Sequence, residues 1–397
     1  MESAITKPNV IMILLDGARA DRVKIMKNFN GLIQKSTFFS QMITYAPYTI
    51  ASMHAIFSGS YGNRTGVDNY YGTYTFKKDN FATITNYLKD SGYYTIGDIL
   101  NPLVIPEQNF DDLKVHDEYS DDLTLRHSGL LEKVQRLNKE GKPCFVFLHY
   151  SNIHTSIKIN VSKKYDHFSK EFFSNKERNL TAYDGYLTKA DDYVAAILKK
   201  IEDLGLSNSL ILMHSDHGIS IGERPGERNY GAYCYDYTLK TFALFYHPDL
   251  FQKKEVISLT RTIDILPTLL DYLKISINPK YEEIDGLSTR PLIEGKIEGR
   301  EAFCEAGNPH SSNPPKPPKA PNCRAYRTEK YKFIHNYWDD SEELYNLEND
   351  PQEDKNIINE NKEIAQELRE KLNKELRRGF DLKLKSVKNL GDVDKSR

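Results

Sequence analysis

Three short apolar runs along the chain end in polar turns, a pattern that predicts buried strands. Residues 10–15 (VIMILL) are followed by Asp-Gly, residues 144–148 (CFVFL) lead into HYSNIH, and residues 210–213 (LILM) lead into HSDHG. Between the second and third runs, residues 181–204 repeat apolar side chains at helical spacing, and Gly205 is a helix-stop signal. Strands that alternate with helices predict an α/β fold with a mostly parallel central sheet flanked by helices.

The polar residues that follow these runs are candidates for a shared site. Asp16, His154 and the pair Asp216-His217 all come just after predicted strands. The carboxyl ends of parallel strands lie at one edge of a sheet, so side chains far apart in sequence meet there. Carboxylate oxygens and imidazole nitrogens bind divalent cations. We therefore expect a metal site at this edge, although an Asp-His pair read alone is more often a surface turn.

The sequence changes in character after about residue 300. This part contains a proline-rich segment at 308–321, a short strand-like stretch at 331–337 and a charged helix at 359–378. From Leu382 onward the chain is polar and is expected to fray. We therefore predict a catalytic domain over residues 1–300 and a small C-terminal α+β subdomain over residues 301–397 that completes the substrate pocket.

Composition and charge narrow the range of partners. The chain has 397 residues, with 54 Lys and Arg against 56 Asp and Glu, and a net charge of -2. This balance gives no electrostatic reason to expect nucleic acid or an anionic membrane as a partner. No apolar run approaches the roughly 20 residues of a membrane span, and the N-terminus lacks a signal-peptide pattern. A cytoplasmic protein with reduced thiols is expected, with a Cys304–Cys323 bridge left open.

Several segments, taken in order, carry a family resemblance. They are NVIMILLDGARADR, APYTIASMHAIFSGSYGNRTGV, HYSNIH, HSDHGISIGE, RTIDILPTLLDYL, IDGLSTRPLIEG, AYRTEKYKFIHN and ELYNLENDPQE. Over nearly its whole length the chain resembles the sulfatase branch of the alkaline phosphatase superfamily. Each motif alone is weak evidence, but the ordered set is specific. The resemblance implies an alkaline phosphatase/sulfatase-like fold and a metal-dependent hydrolase acting on ester bonds.

The resemblance implies roles for residues that match the family's positions. Asp16, Asp216 and His217 match metal ligands, and Thr49 falls on the nucleophile position, where it would also be a metal ligand. His154 matches the histidine that contacts the substrate and helps the leaving group to depart.

Two further matches concern the transferred group. Asn69 matches a residue that contacts this group in related phosphonate and phosphate ester hydrolases. The family usually has a lysine or histidine downstream of the second metal motif. That position falls near Asn229-Tyr230, where Arg228 is the nearest cation and the candidate substitute.

The chain departs from the family at three further positions. The sulfatase signature is Cys/Ser-x-Pro/Ala-x-Arg, in which the first residue is converted to formylglycine. Here Thr49 occupies that first position and Met53 replaces the arginine. Gly17 stands where many sulfatases have a second aspartate. The residue that could be oxidised to formylglycine is therefore missing.

Threonine changes the chemistry that the resemblance implies. Coordination to a divalent cation would lower the pKa of its hydroxyl and orient it for attack. Formylglycine hydrate carries two hydroxyls, so a sulfated intermediate can collapse by expelling sulfate. Thr49 has one hydroxyl, and a phosphorylated Thr49 would instead be attacked at phosphorus by water. We therefore predict a phosphoric or phosphonic ester substrate.

Three alternatives stay open at this point. They are a sulfuric ester hydrolase resembling arylsulfatases, a phosphotransferase that passes its group to a glycan or lipid acceptor, and a metal-free pseudoenzyme that serves as a binding module. The substrate is expected to be a small-molecule or glycan-linked phosphate or sulfate ester, and the oligomeric state is open.

One divalent cation is predicted, with Mn²⁺ or Zn²⁺ favoured. Ca²⁺ is also compatible, but it prefers many oxygen ligands and Gly17 removes one carboxylate. A second cation would need a further Asp and two His, and the candidate histidines sit in no matching motif. These candidates are His149, His214, His310 and His335.

The remaining candidates have simpler interpretations. His149 and His214 are expected to be hydrogen-bonded histidines at the edge of the core, and His310 is a candidate substrate contact in the proline-rich segment. Ser52 is the rival nucleophile, but it lies about one helical turn after Thr49 and is expected to pack at the helix start.

Overall fold

The structure, a computed structural model, describes residues 7–160, 170–227, 229–307 and 318–393, with side chains as far as Leu382. The strands are β1 (Asn9–Leu15), β2 (Thr37–Ile43), β3 (Tyr94–Ile99), β4 (Asp112–Val115), β5 (Cys144–Tyr150), β6 (Ser209–His214), β7 (Lys240–Tyr246), β8 (Lys254–Val256), β9 (Thr260–Arg261), β10 (Ala302–Ala306), β11 (Cys323–Arg327), β12 (Tyr331–Asn336) and β13 (Ser341–Asn346). The α-helices are α1 (Lys27–Ile33), α2 (Thr49–Ser58), α3 (Gly62–Thr65), α4 (Ile84–Asp90), α5 (Leu123–Lys139), α6 (Asn152–Asn160), α7 (Lys170–Ser174), α8 (Lys176–Asp203), α9 (Asp236–Leu239), α10 (Ile265–Leu273), α11 (Arg290–Ile293) and α12 (Lys362–Val393).

The larger sheet has the strand order β4-β3-β5-β1-β6-β7-β2-β8, and β9 also pairs with β2. Strand β7 pairs antiparallel with β6 and β2, and the other pairings of this sheet are parallel. The three strands predicted from the apolar runs are β1, β5 and β6, which lie side by side in the middle. The predicted mostly parallel central sheet is therefore confirmed, and the carboxyl ends of these three strands share one edge.

Both faces of the central strands are buried, which explains their uninterrupted apolar sequence. Along β1, Ile11 and Ile13 point into a core that includes apolar residues of α1, α5 and α8. Val10 and Met12 point into a second core that includes apolar residues of α2, α4 and α10. Helix α8 contains the predicted helix at 181–204 and stops before Gly205, whose φ of 66° suits glycine.

The C-terminal part forms a second, antiparallel sheet in the order β10-β11-β12-β13. Strand β12 corresponds to the stretch predicted at 331–337. Helix α12 is longer than the predicted helix at 359–378 and continues through residues expected to fray after Leu382. The sequence there has no proline and keeps helix-forming leucines and lysines, so the helix need not stop. A domain boundary at residue 300 stays a prediction.

A buried lysine ties the second sheet to the segment that precedes β7. Lys332 of β12 is fully buried, and its Nζ lies 2.7 Å from Glu353 Oε1 and contacts the Asp236 carboxylate. Nζ also donates to the backbone oxygen of Cys234 at 3.1 Å. Two buried carboxylates thus share one ammonium group, which compensates charge that the interior could not otherwise hold.

The four cysteines are buried free thiols. Cys304 and Cys323 lie on neighbouring strands but form no disulfide, so the bridge left open by the sequence is absent. Within the described residues, no helix combines the length and apolar character needed to cross a bilayer.

We expect Lys332→Met to lower the free energy of unfolding by about 3–5 kcal/mol, because it leaves the buried Glu353 carboxylate without a cation and Asp236 with only Arg327, at 3.3 Å. Lys330→Met is the matched control, since Lys330 lies two residues earlier and forms only a half-exposed ion pair with Glu348. Urea unfolding monitored by circular dichroism measures both changes. Equal destabilisation by the two variants would contradict the account of this buried network.

Candidate active site

Adjacent strands bring the predicted metal ligands together. Asp16 follows β1, while Asp216 and His217 follow β6, its parallel neighbour. His217 Nε2 lies 3.7 Å from Asp16 Oδ1 and 3.5 Å from Asp216 Oδ2. Thr49, the first residue of α2, places its Oγ1 3.2 Å from the same nitrogen. The four residues therefore form one cluster, although Asp16 and Asp216 are far apart in sequence.

The atoms of this cluster fit a divalent cation. Asp16 Oδ1 and Asp216 Oδ2 are buried and have no hydrogen-bond partner among the described residues. His217 Nδ1 lies 2.7 Å from the backbone oxygen of Gly218, so Nδ1–H donates there and Nε2 keeps its lone pair. Ligand atoms bound at ~2.1 Å to one ion are roughly 3.0–3.5 Å apart, close to the separations found here.

The pKa values of the Asp16 and Asp216 carboxyl groups also favour a bound cation. Burial, together with the nearby charge of Asp16, raises the pKa of Asp216 to about 6. Burial opposes ionisation of Asp16 as well, but His154, His149 and His217 lower its pKa to about 2. Two buried carboxyls this close cannot both hold a negative charge cheaply without a cation. A bound cation would allow both to ionise.

Two side chains hold the cluster in place from behind. His149, at the end of β5, donates from Nε2 to Asp16 Oδ2 at 2.9 Å, because its Nδ1 accepts the N–H of Leu100. Ser52 is fully buried and donates to the backbone oxygen of Asp216 at 2.8 Å. Ser52 is therefore a supporting residue, and its interpretation as the rival nucleophile is wrong because its hydroxyl faces the protein interior.

A second aspartate in place of Gly17 would be strained in this backbone. Its φ of 75° is in the left-handed region, and a Cβ atom would lie 2.6 Å from Ile219 Cδ1. Its N–H donates to Asp216 Oδ1 at 3.2 Å. The backbone at this position thus orients a proposed ligand, and its left-handed conformation favours the glycine.

The N-terminus of α2 offers an anion site beside Thr49. The first N–H groups of a helix have no intrahelical partner, and here Tyr48, which precedes the helix, provides no side-chain cap for them. Such groups bind phosphate or sulfate oxygens favourably. Met53, which replaces the family's arginine, is fully buried in the apolar core and cannot face the site. Helix N–H groups therefore supply positive potential that the missing arginine does not.

A cavity of about 560 Å³ opens beside Thr49. Its walls include His154, Tyr70, His116 and Tyr230. His154 lies on α6, and its Nε2 is 2.8 Å from the hydroxyl oxygen of Tyr230. The structure thus places His154 next to the cluster, as predicted. Sequence reasoning did not assign Tyr230 a role, although its position coincides with the family's missing lysine or histidine.

Asn69 is not brought to this cavity. Its amide donates to Asp68 Oδ1 at 2.6 Å, and its Oδ1 accepts the N–H of Tyr71 at 2.9 Å, so a local turn uses both ends of the side chain. The predicted contact of Asn69 with the transferred group has no support in the described contacts. Arg228 and His310 lie outside the described residues, and their roles stay predictions.

Among the candidate histidines that the structure describes, none joins this cluster to form a second metal site. His149 is hydrogen-bonded at the edge of the core, as expected. His214 is fully buried, and the backbone of Ser215 interacts with its ring, which agrees with a histidine at the edge of the core. His335 pairs with Asp340 in the C-terminal sheet, away from this edge.

In a second buried group of one aspartate and two histidines, the aspartate charge is compensated without a metal cation. Asp98 accepts two hydrogen bonds from Arg126, at 2.8 and 3.1 Å, and one from His116 Nδ1 at 3.3 Å. The Tyr193 hydroxyl has no hydrogen-bond partner among the described residues except His127 Nδ1, so the hydroxyl donates to Nδ1. The proton of the His127 ring is then on Nε2, which faces Asp98 at 3.6 Å. The arginine already supplies the positive charge, and this group therefore has a structural role.

Family models match two stretches of the chain. A model described as Sulfatase matches residues 8–275, which is more than half of the chain. A second, described as N-sulphoglucosamine sulphohydrolase, C-terminal, matches residues 230–379. The four residues of the metal cluster fall within the first match.

Similar proteins include named sulfatases and a phosphonate hydrolase. An arylsulfatase of Clostridium perfringens is 31% identical over 217 residues, which cover 50% of this chain and 40% of that protein. A solved 2-O GAG sulfatase has a TM-score of 0.76 at 20% identity, covering 94% of this chain and 93% of that one. The phosphonate monoester hydrolase of Agrobacterium radiobacter has a TM-score of 0.70 at 16% identity, covering 94% and 95%.

The structural likeness confirms the predicted alkaline phosphatase/sulfatase-like α/β fold. The matched stretch spans less than half the length of the curated relatives, so their activities are not carried over to this chain by similarity alone.

We expect Mn²⁺ or Zn²⁺ to stabilise the wild-type protein, by about 2.7 kcal/mol at a concentration of 100 Kd. Asp216→Asn should abolish this gain, because it removes a ligand from the cluster. Asp98→Asn is the matched control: it alters the other buried group and should retain metal binding. Thermal unfolding and metal content measure both effects. Loss of metal in Asp98→Asn but not in Asp216→Asn would contradict the assignment.

The stabilisation of the fold by Mn²⁺ should be larger at about pH 7.5 than at about pH 5. Burial and Asp16 raise the pKa of Asp216 in the fold to about 6, above its ordinary 3.8. Below pH 6 the metal-free fold therefore binds one more proton at Asp216 than the unfolded chain does, which stabilises the fold. This stabilisation is lost as the pH rises through 6. A cation must displace this proton to bind. Thermal unfolding with and without Mn²⁺ at both pH values is the check, and an equal gain would argue against it.

Proposed function

This chain belongs to the sulfatase family, and we propose that it is a metal-dependent hydrolase of phosphoric or phosphonic esters, with Thr49 as the nucleophile. The observation that carries the proposal is the placement of Thr49 Oγ1, 3.2 Å from His217 Nε2 and beside two unpartnered carboxylate oxygens. A threonine at this place keeps a nucleophilic hydroxyl and excludes formylglycine.

Asp16, Asp216, His217 and Thr49 would hold one divalent cation, with Mn²⁺ or Zn²⁺ favoured and Ca²⁺ compatible. When bound, the cation would lower the pKa of the Thr49 hydroxyl and offset negative charge on the transferred group. Gly17 leaves the cluster one carboxylate short of what many sulfatases have, which supports a smaller ion than Ca²⁺.

Specific residues of the chain act at each step of the proposed reaction. Thr49 Oγ forms a bond to phosphorus as the bond from phosphorus to the leaving oxygen breaks; the Thr49 proton passes to solvent water, and the departing oxygen takes up a proton from solvent to leave as the alcohol. The N–H groups at the start of α2 face the oxygens of the transferred group and stabilise their charge. Water then attacks phosphorus, Thr49 Oγ departs and regains a proton, and phosphate or phosphonate is released.

A sulfuric ester is the second candidate, and the names of the relatives favour it over a phosphoric ester. The arylsulfatase and the 2-O GAG sulfatase are both named for sulfate esters, whereas the phosphonate monoester hydrolase is one structural neighbour among several sulfatases. Thr49 weighs against sulfate, because a single hydroxyl cannot expel sulfate as a formylglycine hydrate does. A glycan-linked ester would suit either candidate.

We expect Thr49→Ala to lower kcat/KM by at least ~10³-fold on aryl phosphate or phosphonate esters, because the covalent step is lost. Thr49→Ser should stay within ~10-fold of wild type, since it keeps the hydroxyl. Ser52→Ala is the matched control within the same helix and should lose far less than Thr49→Ala. Steady-state assays with phosphate monoesters, phosphate diesters, phosphonates and sulfates measure these effects in parallel.

Each alternative corresponds to a distinct result. Turnover of aryl sulfate without turnover of phosphorus esters would replace the proposal by the sulfuric ester hydrolase. Product that appears only when an acceptor alcohol is added would indicate a transferase. Full activity of Thr49→Ala would reject the nucleophile. Neither turnover nor metal binding would indicate a binding module.

A further inference from the structure

Tyr230 occupies a central position that the proposed reaction has not yet used. It lines the cavity together with Thr49 and His154. Its ring centroid lies 4.7 Å from that of His217 and 5.2 Å from that of His154. The ring is thus fixed between a proposed metal ligand and the histidine expected to assist the leaving group.

The hydrogen bond between His154 and Tyr230 has a preferred direction. His154 Nδ1 is buried and has no hydrogen-bond partner among the described residues. A proton on Nδ1 would therefore be a buried, unsatisfied donor, which proteins rarely tolerate. The proton of the neutral ring accordingly sits on Nε2, and Nε2–H donates to the Tyr230 oxygen at 2.8 Å.

This direction leaves the hydroxyl hydrogen of Tyr230 available. The Tyr230 oxygen accepts from His154, and the hydroxyl makes no other hydrogen bond to the described residues. Since Tyr230 forms part of the cavity wall beside Thr49, a ligand in the cavity can accept this hydrogen. The imidazole of His154, by contrast, has committed its only N–H to Tyr230.

We propose that the Tyr230 hydroxyl is the catalytic hydrogen-bond donor to the leaving-group oxygen, and that His154 is a positioning residue acting through it. This inference rests on the proposed function. Negative charge develops on the leaving oxygen as its bond to phosphorus breaks, and an oriented O–H donor stabilises that charge more than it stabilises the bound ester. The tyrosine thereby serves at the position where the family has a lysine or histidine.

The dependence on the leaving group tests the inference. Tyr230→Phe should lower kcat/KM by ~10²–10³-fold on an alkyl ester, whose leaving oxygen becomes strongly basic. On the 4-nitrophenyl ester, whose leaving oxygen needs little stabilisation, the loss should be below ~10-fold. Tyr70→Phe is the matched control in the same cavity wall, and any loss should be alike for both esters. An equal loss for both esters in Tyr230→Phe would overturn the inference.

Variants at His154 separate donor from positioning residue. His154→Gln keeps an N–H that can reach the Tyr230 oxygen and should restore part of the alkyl-ester activity that His154→Leu loses. In the double variant His154→Leu/Tyr230→Phe the losses should not multiply, because the two residues act as a unit. If His154→Leu shows the leaving-group dependence and Tyr230→Phe does not, His154 itself is the donor and the inference is wrong.

A binding measurement keeps this inference separable from the proposed function. Orthovanadate bound to Thr49 places an apical oxygen where the leaving oxygen would be. Its Kd, measured by calorimetry with Mn²⁺ present, should rise at least ~10-fold in Tyr230→Phe and stay near wild type in Tyr70→Phe. If wild type hydrolyses no ester, the proposed function fails, and the Kd alone decides: a selective rise supports Tyr230 as a donor, and no rise overturns it.

Discussion

Asp16 and Asp216 face each other at the ends of adjacent parallel strands, and each has a buried oxygen without a hydrogen-bond partner among the described residues. Two such carboxyls are costly unless a cation or a proton lies between them. The raised pKa of Asp216 shows the strain of the metal-free arrangement. The surroundings of the pair, from His149 behind Asp16 to Ser52 behind Asp216, serve to hold this costly geometry.

The same pair of carboxyls keeps its geometry although the chain departs from the family at neighbouring positions. Gly17 provides no carboxylate, but its N–H donates to Asp216, and its left-handed backbone favours glycine. Met53 replaces the positively charged arginine of the family, while the N–H groups at the uncapped start of α2 can still bind an anion. Thr49 gives up formylglycine but keeps a hydroxyl next to His217. Of these changes, Thr49 is the one on which the proposal of a phosphorus ester rests, whereas the names of the relatives favour a sulfuric ester.

The sequence predicted the central strands and the metal cluster, but it did not predict contacts that depend on how distant elements pack. Apolar runs ending in Asp16 and Asp216 predicted both the central strands and their shared edge, because burial on two faces leaves a clear pattern. Contacts made by Ser52 and Tyr230 depend on distances between elements, which periodicity does not encode. The role of Asn69 stays a prediction, and the local hydrogen bonds of its side chain to Asp68 and Tyr71 were likewise not encoded in the periodicity.

The central claim is that a covalent group forms on Thr49, and acid quenching during turnover tests it most directly. Wild-type protein mixed with 4-nitrophenyl phosphate and Mn²⁺, quenched and digested, should yield the peptide containing Thr49 with one added phosphoryl group. High-resolution mass spectrometry distinguishes this group from sulfate and locates it by fragmentation. A phosphoryl group on another residue, or an adduct that forms only with 4-nitrophenyl sulfate, would contradict the account.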